Sequence, residues 1–526
     1  LGATHAAGDY FLDPSHDYLN EGAIEVAQTG MRSIKLWFIP DNPIPYYTWN
    51  SPDWPSSFSS PKAMAQHPYY QEVFRRPFNT YLLTIVEGPT FRDGFPDPYP
   101  AQLRQKFYDL ARYLLETYDG TGKTFILGTW ESDWQLRGTF DMDPAYDPDQ
   151  TAIDGMIRWY TARQNGVNDA RLAVPDSDVN IYAASEVNKV DYAMQGRPTV
   201  TNDVLPYVNM DLVTYSAWDN TIDAGTDEEG TRQELINALD YIAAHAPDST
   251  VLDPNGVPWG NKNVVIAEYG APAQQWGDTG PAKQQKIIRM TAEVAYDWGC
   301  PWVFYWNTYC NECTTENNEP AASNEDCRGF WLKKVDGTTS AGYNYFVAHL
   351  RPYLAPPADF DILRVDDHTI QLTWPDTDNE ENYRLERRVD DGPWTLLATP
   401  VADTVSYNDS SVIPGQTYWY RLRAENTHLA STAWFYSPAT TSVPGDFNLD
   451  DHVDTTDAQM FNQCRTAPGI PYDPQNLPAG CTLTPDDSDI IAADLNRDGA
   501  VDQSDFAIFQ RCYSGPDAPA DPACHP

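Results

Sequence analysis

Eight short runs rich in β-branched and aromatic residues alternate with longer stretches of helical spacing over the first 306 residues of this 526-residue chain. The runs are Gly2–His5, Ser33–Phe38, Tyr81–Glu87, Thr124–Glu131, Val179–Glu186, Asp211–Ser216, Val264–Tyr269 and Pro301–Trp306. Between them apolar residues recur at spacings of three and four, as over Leu103–Tyr118, Thr151–Arg163, Thr231–Ala244 and Ala282–Trp298, the period of an amphipathic helix. A strand followed by a helix returns to a parallel neighbour, and eight such units close on themselves. Residues 1–355 are therefore expected to form a (β/α)8 TIM barrel, the first part of a multidomain chain.

Four of the expected strands end in glutamate: Glu87, Glu131, Glu186 and Glu268, on strands three, four, five and seven. Barrel active sites are built where strands end at the C-terminal face, and an ionisable group closing a buried strand is costly unless it is paired. Strands four and seven lie across the barrel from each other. Two carboxyl groups so placed suit glycoside hydrolysis, which needs one protonated group for the leaving oxygen and one ionised group for the anomeric carbon. The pair resembles that of the retaining glycoside hydrolases of clan A, which carry the acid/base after strand four and the nucleophile after strand seven. The resemblance implies Glu131 of Thr129-Trp130-Glu131 as acid/base and Glu268 of Ile266-Ala267-Glu268-Tyr269-Gly270 as nucleophile. Their carboxyl groups should then lie about 5 Å apart. Clan members have Asn immediately before the acid/base to hold the sugar 2-hydroxyl, whereas Trp130 stands there in this chain; Asn188 is the candidate for that task. A fourth strand miscounted by one would put Glu186 in place of Glu131, and an ion pair with Lys or Arg is the competing reading of Glu268.

Sugar C–H faces stack on aromatic rings. Trp37, Trp130, Trp134, Tyr215, Trp218, Trp276 and Trp306 all fall at or just beyond strand ends. The resemblance places Tyr215 near the nucleophile and Trp306 beneath the reactive sugar. His5, Asp133 and Asp219 are secondary polar candidates, each equally able to bond backbone.

From 356 to 443 the period changes to two, as in Thr369–Trp374, Tyr383–Arg387 and Thr417–Arg423, with turn residues between, which argues for an antiparallel β-sandwich. The run Ile413–Ala424 resembles fibronectin type III modules, with Trp374 as core tryptophan and Tyr418 as corner tyrosine. Such a module is read as a spacer; Trp394 and Trp419 are its candidates for sugar contact.

Residues 446–526 carry 15 Asp, three Arg, no Glu and no Lys. Two twelve-residue loops recur there. Asp446, Asn448, Asp450, Asp454 and Asp457 occupy positions 1, 3, 5, 9 and 12 of the first; Asp494, Asn496, Asp498, Asp502 and Asp505 occupy them in the second. His452 and Ala500 stand at position 7, which offers a carbonyl. Calcium takes six to eight hard oxygens, and alternate residues of a tight loop can point them inward. Val453 and Val501 at position 8 are expected to pair backbone to backbone, and an apolar helical run follows each loop. The duplication resembles dockerin type I domains with an inserted disulfide loop. It implies a small α-helical domain, 444–526, with two structural Ca2+ ions, docking on a cohesin-like or cell-surface partner. Asp451 departs from the pattern, since the sharp turn at position 6 wants Gly.

The eight cysteines fall in two clusters. Cys464–Cys481 and Cys512–Cys524 are expected disulfides, as is Cys313–Cys327 with Cys300 and Cys310 buried as thiols; a zinc site on the first cluster is the rival. The chain opens at Leu1 without Met, charged n-region or apolar h-region, and reads as a mature protein or a trimmed one whose leader is absent; the cysteines and calcium loops point to a secreted or cell-surface protein of bacterial type. With 34 Lys+Arg against 76 Asp+Glu, the formal charge is −42, which disfavours nucleic acid and anionic membrane. No run is long enough to span a bilayer. A basic patch from Lys35, Arg75, Arg76, Arg92 or Arg137 would be needed to admit an acidic sugar. The nine His show no paired metal spacing, which weakens a metal-dependent hydrolase. The reading is a retaining glycoside hydrolase acting on β-linked polysaccharide or oligosaccharide, with no catalytic cofactor. The alternative is a non-catalytic glycan-binding or surface-assembly protein on a degenerate barrel.

Overall fold

The eight runs do form strands, and the strands close. The computed structural model describes all residues except 88–89, 316–318, 351–353, 366–367, 378, 391, 414–415, 427–430, 432–433, 441–442, 449, 451, 486–488, 517–519, 521–523 and 525–526. In chain order the barrel strands are Gly2–His5, Ser33–Phe38, Thr80–Ile85, Thr124–Gly128, Asn180–Val187, Leu212–Ser216, Val264–Gly270 and Val303–Trp306. Each pairs in parallel with its sequence neighbours, and the eighth returns to the first. Glu87 and Glu131 thus lie beyond their strands, while Glu186 and Glu268 lie within theirs.

Alternation divides the strands between two cores. Leu82, Ile126, Tyr182, Ala184, Leu212, Val265, Ala267 and Phe304 fill the barrel interior. Ile34, Leu36, Leu83, Phe125, Ile181, Val213 and Ile266 face the helices, in one cluster with Phe107, Trp159, Leu239 and Val294. A hairpin of Ser249–Leu252 and Pro258–Gly260 sets Val251 and Trp259 against the interior cluster. The helices Tyr99–Thr117 and Gln150–Ala173 meet at Gly166, where a Cβ would stand 2.4 Å from the Arg104 carbonyl oxygen; only Gly permits that approach. From the second helix the buried Arg163 donates to the carbonyls of Ile85 and Gly128, its guanidinium 4.4 Å from the Phe107 ring centre and 4.3 Å from that of Trp159. One cation thereby holds the ends of strands three and four, from which Glu87 and Glu131 emerge.

The chain divides into the units Leu1–Tyr353 and Leu354–Pro526. The second begins as a sandwich: a sheet of Asp361–Arg364, Ile370–Thr373 and Ser406–Asp409, and a sheet of Thr395–Ala398, Asn382–Val389, Thr417–Glu425 and Phe435–Thr440. Trp374 is buried between them, and the Tyr418 hydroxyl accepts from Ile413 N at 2.7 Å, as a corner tyrosine does. On the outer face Arg421 lies between the Trp434 and Trp394 rings, and Arg388 between Trp394 and Trp419. Guanidinium groups thus cover ring surfaces of Trp394 and Trp419 that a sugar would need.

After the sandwich come the helices Thr455–Cys464 and Gln503–Cys512, each entered through a capping box, Asp454 with Asp457 and Asp502 with Asp505. Cys464–Cys481, Cys512–Cys524 and Cys313–Cys327 are disulfides. Cys310 is buried as expected, but Cys300 is only half-buried; its thiol is pushed up to about 12 by its surroundings of low polarity. No helix among the described residues is long and apolar enough to cross a membrane.

Candidate functional site

Second-strand alternation turns Lys35 and Trp37 to the same face, and Lys35 becomes the centre of the site. Its Nζ lies 2.6 Å from Glu268 Oε1, both groups buried. The Trp218 indole donates to the other oxygen, Oε2, at 3.3 Å. The seventh strand slips register between Ile266 and Glu268 against the sixth, so that Ala267 lines the barrel and Glu268 still reaches Lys35. Glu186 is fully buried beside them: it accepts from Ser216 Oγ at 2.8 Å, from Thr214 Oγ1 at 3.1 Å and from Glu131 N at 3.2 Å. Its carboxyl therefore fixes the turn that presents Glu131.

Glu131 has φ +25, a conformation costing a non-glycine residue about 1–3 kcal/mol and frequent where function requires it. The following helix, Ser132–Arg137, is anchored by Asp133, whose carboxylate accepts from the backbone of Asn188, Lys189 and Val200 at 2.8–3.0 Å. Asn188 returns a bond, its Oδ1 accepting from Asp133 N at 3.0 Å; its Nδ2 is buried without a partner among the described residues.

Three carboxyl groups thus share one ammonium. Burial, then the charges of Glu268 and Glu186, hold the Glu131 carboxyl well above the usual range, against the pull of Lys35 and Lys189. Burial also raises Glu186, to about 7, with Lys35 opposing and Glu268 adding to it. Burial works against the charge of Lys35, yet Glu268, Glu186 and Glu131 keep it above its ordinary value. The site is arranged to hold protons on Glu131 and Glu186. A carboxyl raised on folding stabilises below its unfolded value near 4.5 and loses that contribution as pH rises through its folded value. Glu186→Gln is accordingly expected to flatten the fall in barrel melting temperature between about pH 4.5 and about pH 7, read by thermal melts across that window.

Aromatic rings form an arc over these groups. Phe140 meets Trp130 at 6.1 Å between ring centres, Trp130 meets Trp37 at 6.1 Å, Trp37 meets Trp306 at 6.3 Å, Trp306 meets Trp218 at 6.5 Å, and Trp218 meets Phe330 at 5.6 Å. Trp134 joins through Phe140 at 5.5 Å, with Lys189 Nζ over its ring. Trp306 is held by its Nε1, which donates to Asn311. Trp37 Nε1 is buried with no partner among the described residues.

Other expectations are corrected. Tyr215 is on the opposite face of its strand from Thr214 and Ser216; it is buried among the helices and bonds Asn220, so alternation removes it from the nucleophile. Trp276 packs under Lys283 and is not part of the arc. His5 bonds the Tyr18 carbonyl, and burial lowers it to about 4; Asp219 pairs with Lys189; Glu87 pairs with Lys106. Of the residues named for a basic patch, Lys35, Arg76 and Arg137 are buried and paired with Glu268, Glu72 and Asp147. Sequence reasoning named Lys35 only for a basic patch and missed Ser216 and Phe140. The signal for the first two was parity with Trp37 and Tyr215; Phe140 gave none.

The two C-terminal loops repeat one network. Asp450 N and Asp498 N donate to Asp446 Oδ1 and Asp494 Oδ1, each at 3.1 Å; Asn448 N and Asn496 N donate to Asp457 Oδ1 and Asp505 Oδ1. His452 N and Ala500 N donate to Asp450 and Asp498. Gly499 takes the sharp turn with φ +87; Asp451 lies outside the described residues. Position 8 differs from expectation. Val501 O accepts from Thr466 N at 2.8 Å, and Val453 O accepts from Ser514 N at 2.9 Å, so each valine pairs with the residue leaving the other repeat's helix. With both valines buried, those exits are the backbone that reaches them.

Residues 444–511 match the family model of the dockerin type I domain. The dockerin domain therefore accounts for the paired loops and their helices. Among solved structures, the chain is similar to β-glucuronidase of Bacteroides uniformis at 11% identity, covering 84% of this chain and 45% of that one with a TM-score of 0.39. It is also similar to a two-domain fibronectin type III segment of chicken tenascin at 21% identity, covering 17% and 50% with a TM-score of 0.16. The chain thus spans about half the length of these two.

Proposed function

We propose that the barrel is a retaining glycoside hydrolase of the clan A kind, acting on β-linked polysaccharide or oligosaccharide, with Glu131 as acid/base and Glu268 as nucleophile. The buried Lys35–Glu268 pair beside a Glu131 carboxyl held well above the usual range carries this reading, because a double displacement needs one carboxylate and one carboxylic acid. Held by Lys35, Glu268 supplies the carboxylate that attacks the anomeric carbon, forming a glycosyl ester. Glu131 gives its proton to the leaving oxygen as the glycosidic bond breaks. Esterification removes the charge of Glu268, which had helped to keep Glu131 protonated, so Glu131 becomes the base for an incoming water. That water attacks the anomeric carbon, its proton goes to Glu131, and Glu268 leaves as carboxylate. Glu186 acts through Glu131 as a positioning residue, and Asn188 secures the same turn.

Domain limits of 1–355 for catalysis, 356–443 for a spacer and 444–526 for docking belong to this proposal, as does secretion or display at the cell surface. In the dockerin domain, calcium would be held by Asp446, Asn448, Asp450, the His452 carbonyl, Asp454 and Asp457, and by Asp494, Asn496, Asp498, the Ala500 carbonyl, Asp502 and Asp505. The fit rests on donor chemistry: four carboxylates at the ligand positions of each loop, in a stretch without lysine, suit a hard cation. A cohesin-like or cell-surface protein is the proposed partner.

One observation favours a non-catalytic glycan-binding barrel: the Lys35–Glu268 pair is also what a purely structural buried ion pair would be. Reducing-end release from barley β-glucan, xylan, glucomannan and galactan separates the two, with the anomer formed first followed by NMR. The glycosidase reading expects product in the β configuration. Product first formed as α would replace retention by inversion, and no product from any of the four would favour the binding barrel.

A further inference from the structure

We propose that the barrel mouth is a cleft holding sugar residues on both sides of the scissile bond, and that Phe140 with Trp130 forms its leaving-group side. This deepens the glycosidase reading of Glu131 and Glu268 and rests on it. The ring arc has members beside both carboxyl groups: the half-exposed Trp218, backed by the buried Phe330, at Glu268, and the half-exposed Trp130 with the exposed Phe140 at Glu131. A proton donor faces the leaving oxygen, so rings on its side meet the leaving sugars. A substrate touching both ends is cut within its chain.

Phe140 is the unexplained residue. It is 69% exposed, and a lone exposed apolar side chain needs no function. This one is displayed on a braced loop. Arg137 donates to the carbonyls of Asp141 and Asp143 and pairs with Asp147 at 2.6 Å. Arg197 donates to the Met142 carbonyl and pairs with the same Asp147 oxygen. The braced loop holds the ring in solvent, edge-on to two half-exposed tryptophans. Mid-arc, Trp37 is half-buried between the Trp130 and Trp306 rings, its indole N–H turned inward.

The test uses the full chain. In affinity gels containing barley β-glucan, xylan, glucomannan or galactan, the Glu268→Gln chain is expected to be retarded by at least one. Adding Phe140→Ala should remove most of that retardation, and Phe140→Tyr should keep it. On that polysaccharide, Phe140→Ala in the active chain should lower kcat/KM roughly tenfold, the worth of one stacked ring. Hydrolysis of the 2,4-dinitrophenyl β-glycoside of the same sugar, whose leaving group is no sugar, should change less than about twofold. Early products should be oligosaccharides of mixed length. Equal losses on both substrates, retardation indifferent to Phe140, release of monosaccharide alone from the outset, or no retardation in any gel would each overturn the cleft. Phe140-dependent retardation without product from either substrate would uphold the cleft and remove the glycosidase reading.

Discussion

Glu268→Gln should reduce product release by about 10⁴-fold or more, because an amide can neither attack the anomeric carbon nor leave from an ester. The substitution is nearly isosteric, and Trp218 can still donate to the remaining oxygen. Its cost falls on Lys35, which loses the partner 2.6 Å away. Stranding a buried charge costs about 3–5 kcal/mol. Here Glu186 and Glu131 stand by to ionise in its place, since both feel the same ammonium. The loss of stability should therefore stay below that range. Thermal melts and initial rates on one preparation decide the matter: near-normal melting with no turnover is the expected result. Full turnover in Glu268→Gln would reduce the ion pair to a structural one.

Removing calcium should unfold the dockerin domain and leave the barrel intact. Each loop has four carboxylates at its ligand positions, and the apolar clusters beneath are small, built around Phe461, Ile491 and Val501 and around Val453 and Phe509. Without a cation, like-charge repulsion opposes so little burial. The disulfides Cys464–Cys481 and Cys512–Cys524 limit how far the chain can open, each contributing about 3 kcal/mol, but neither replaces the missing charge. Excess EGTA should produce a low-temperature unfolding step that calcium reverses, together with proteolytic loss of about 80 C-terminal residues while activity persists. Asp494→Ala should raise the calcium needed for protection, and an unchanged melt in EGTA would refute the calcium assignment.

Much of this was legible in the residues. Alternating periods located all eight barrel strands, since each is a short apolar run bounded by turn residues. The glutamates were visible because an acid at the end of an apolar run stands out. What the linear pattern hid was parity. Tyr215 sits one residue from Thr214 and Ser216, and a one-residue difference decides which face it shares. Lys35 read as a surface cation because lysine usually is one; only closure of the barrel sets it opposite Glu268. Phe140 became legible only through the arginines that brace its loop, which come from Arg137 and from the distant Arg197.

The crossed pairing of Val453 with Ser514 and Val501 with Thr466 has a bearing on how the dockerin domain responds to metal. Each repeat finishes the other's loop with the residue at its own helix exit, so half a domain is an open circuit. Deleting either repeat should melt the survivor, and the two ions should be taken up over one steep transition. The C-terminal module would then behave as a single latch, able to dock on its proposed partner only when both halves have closed.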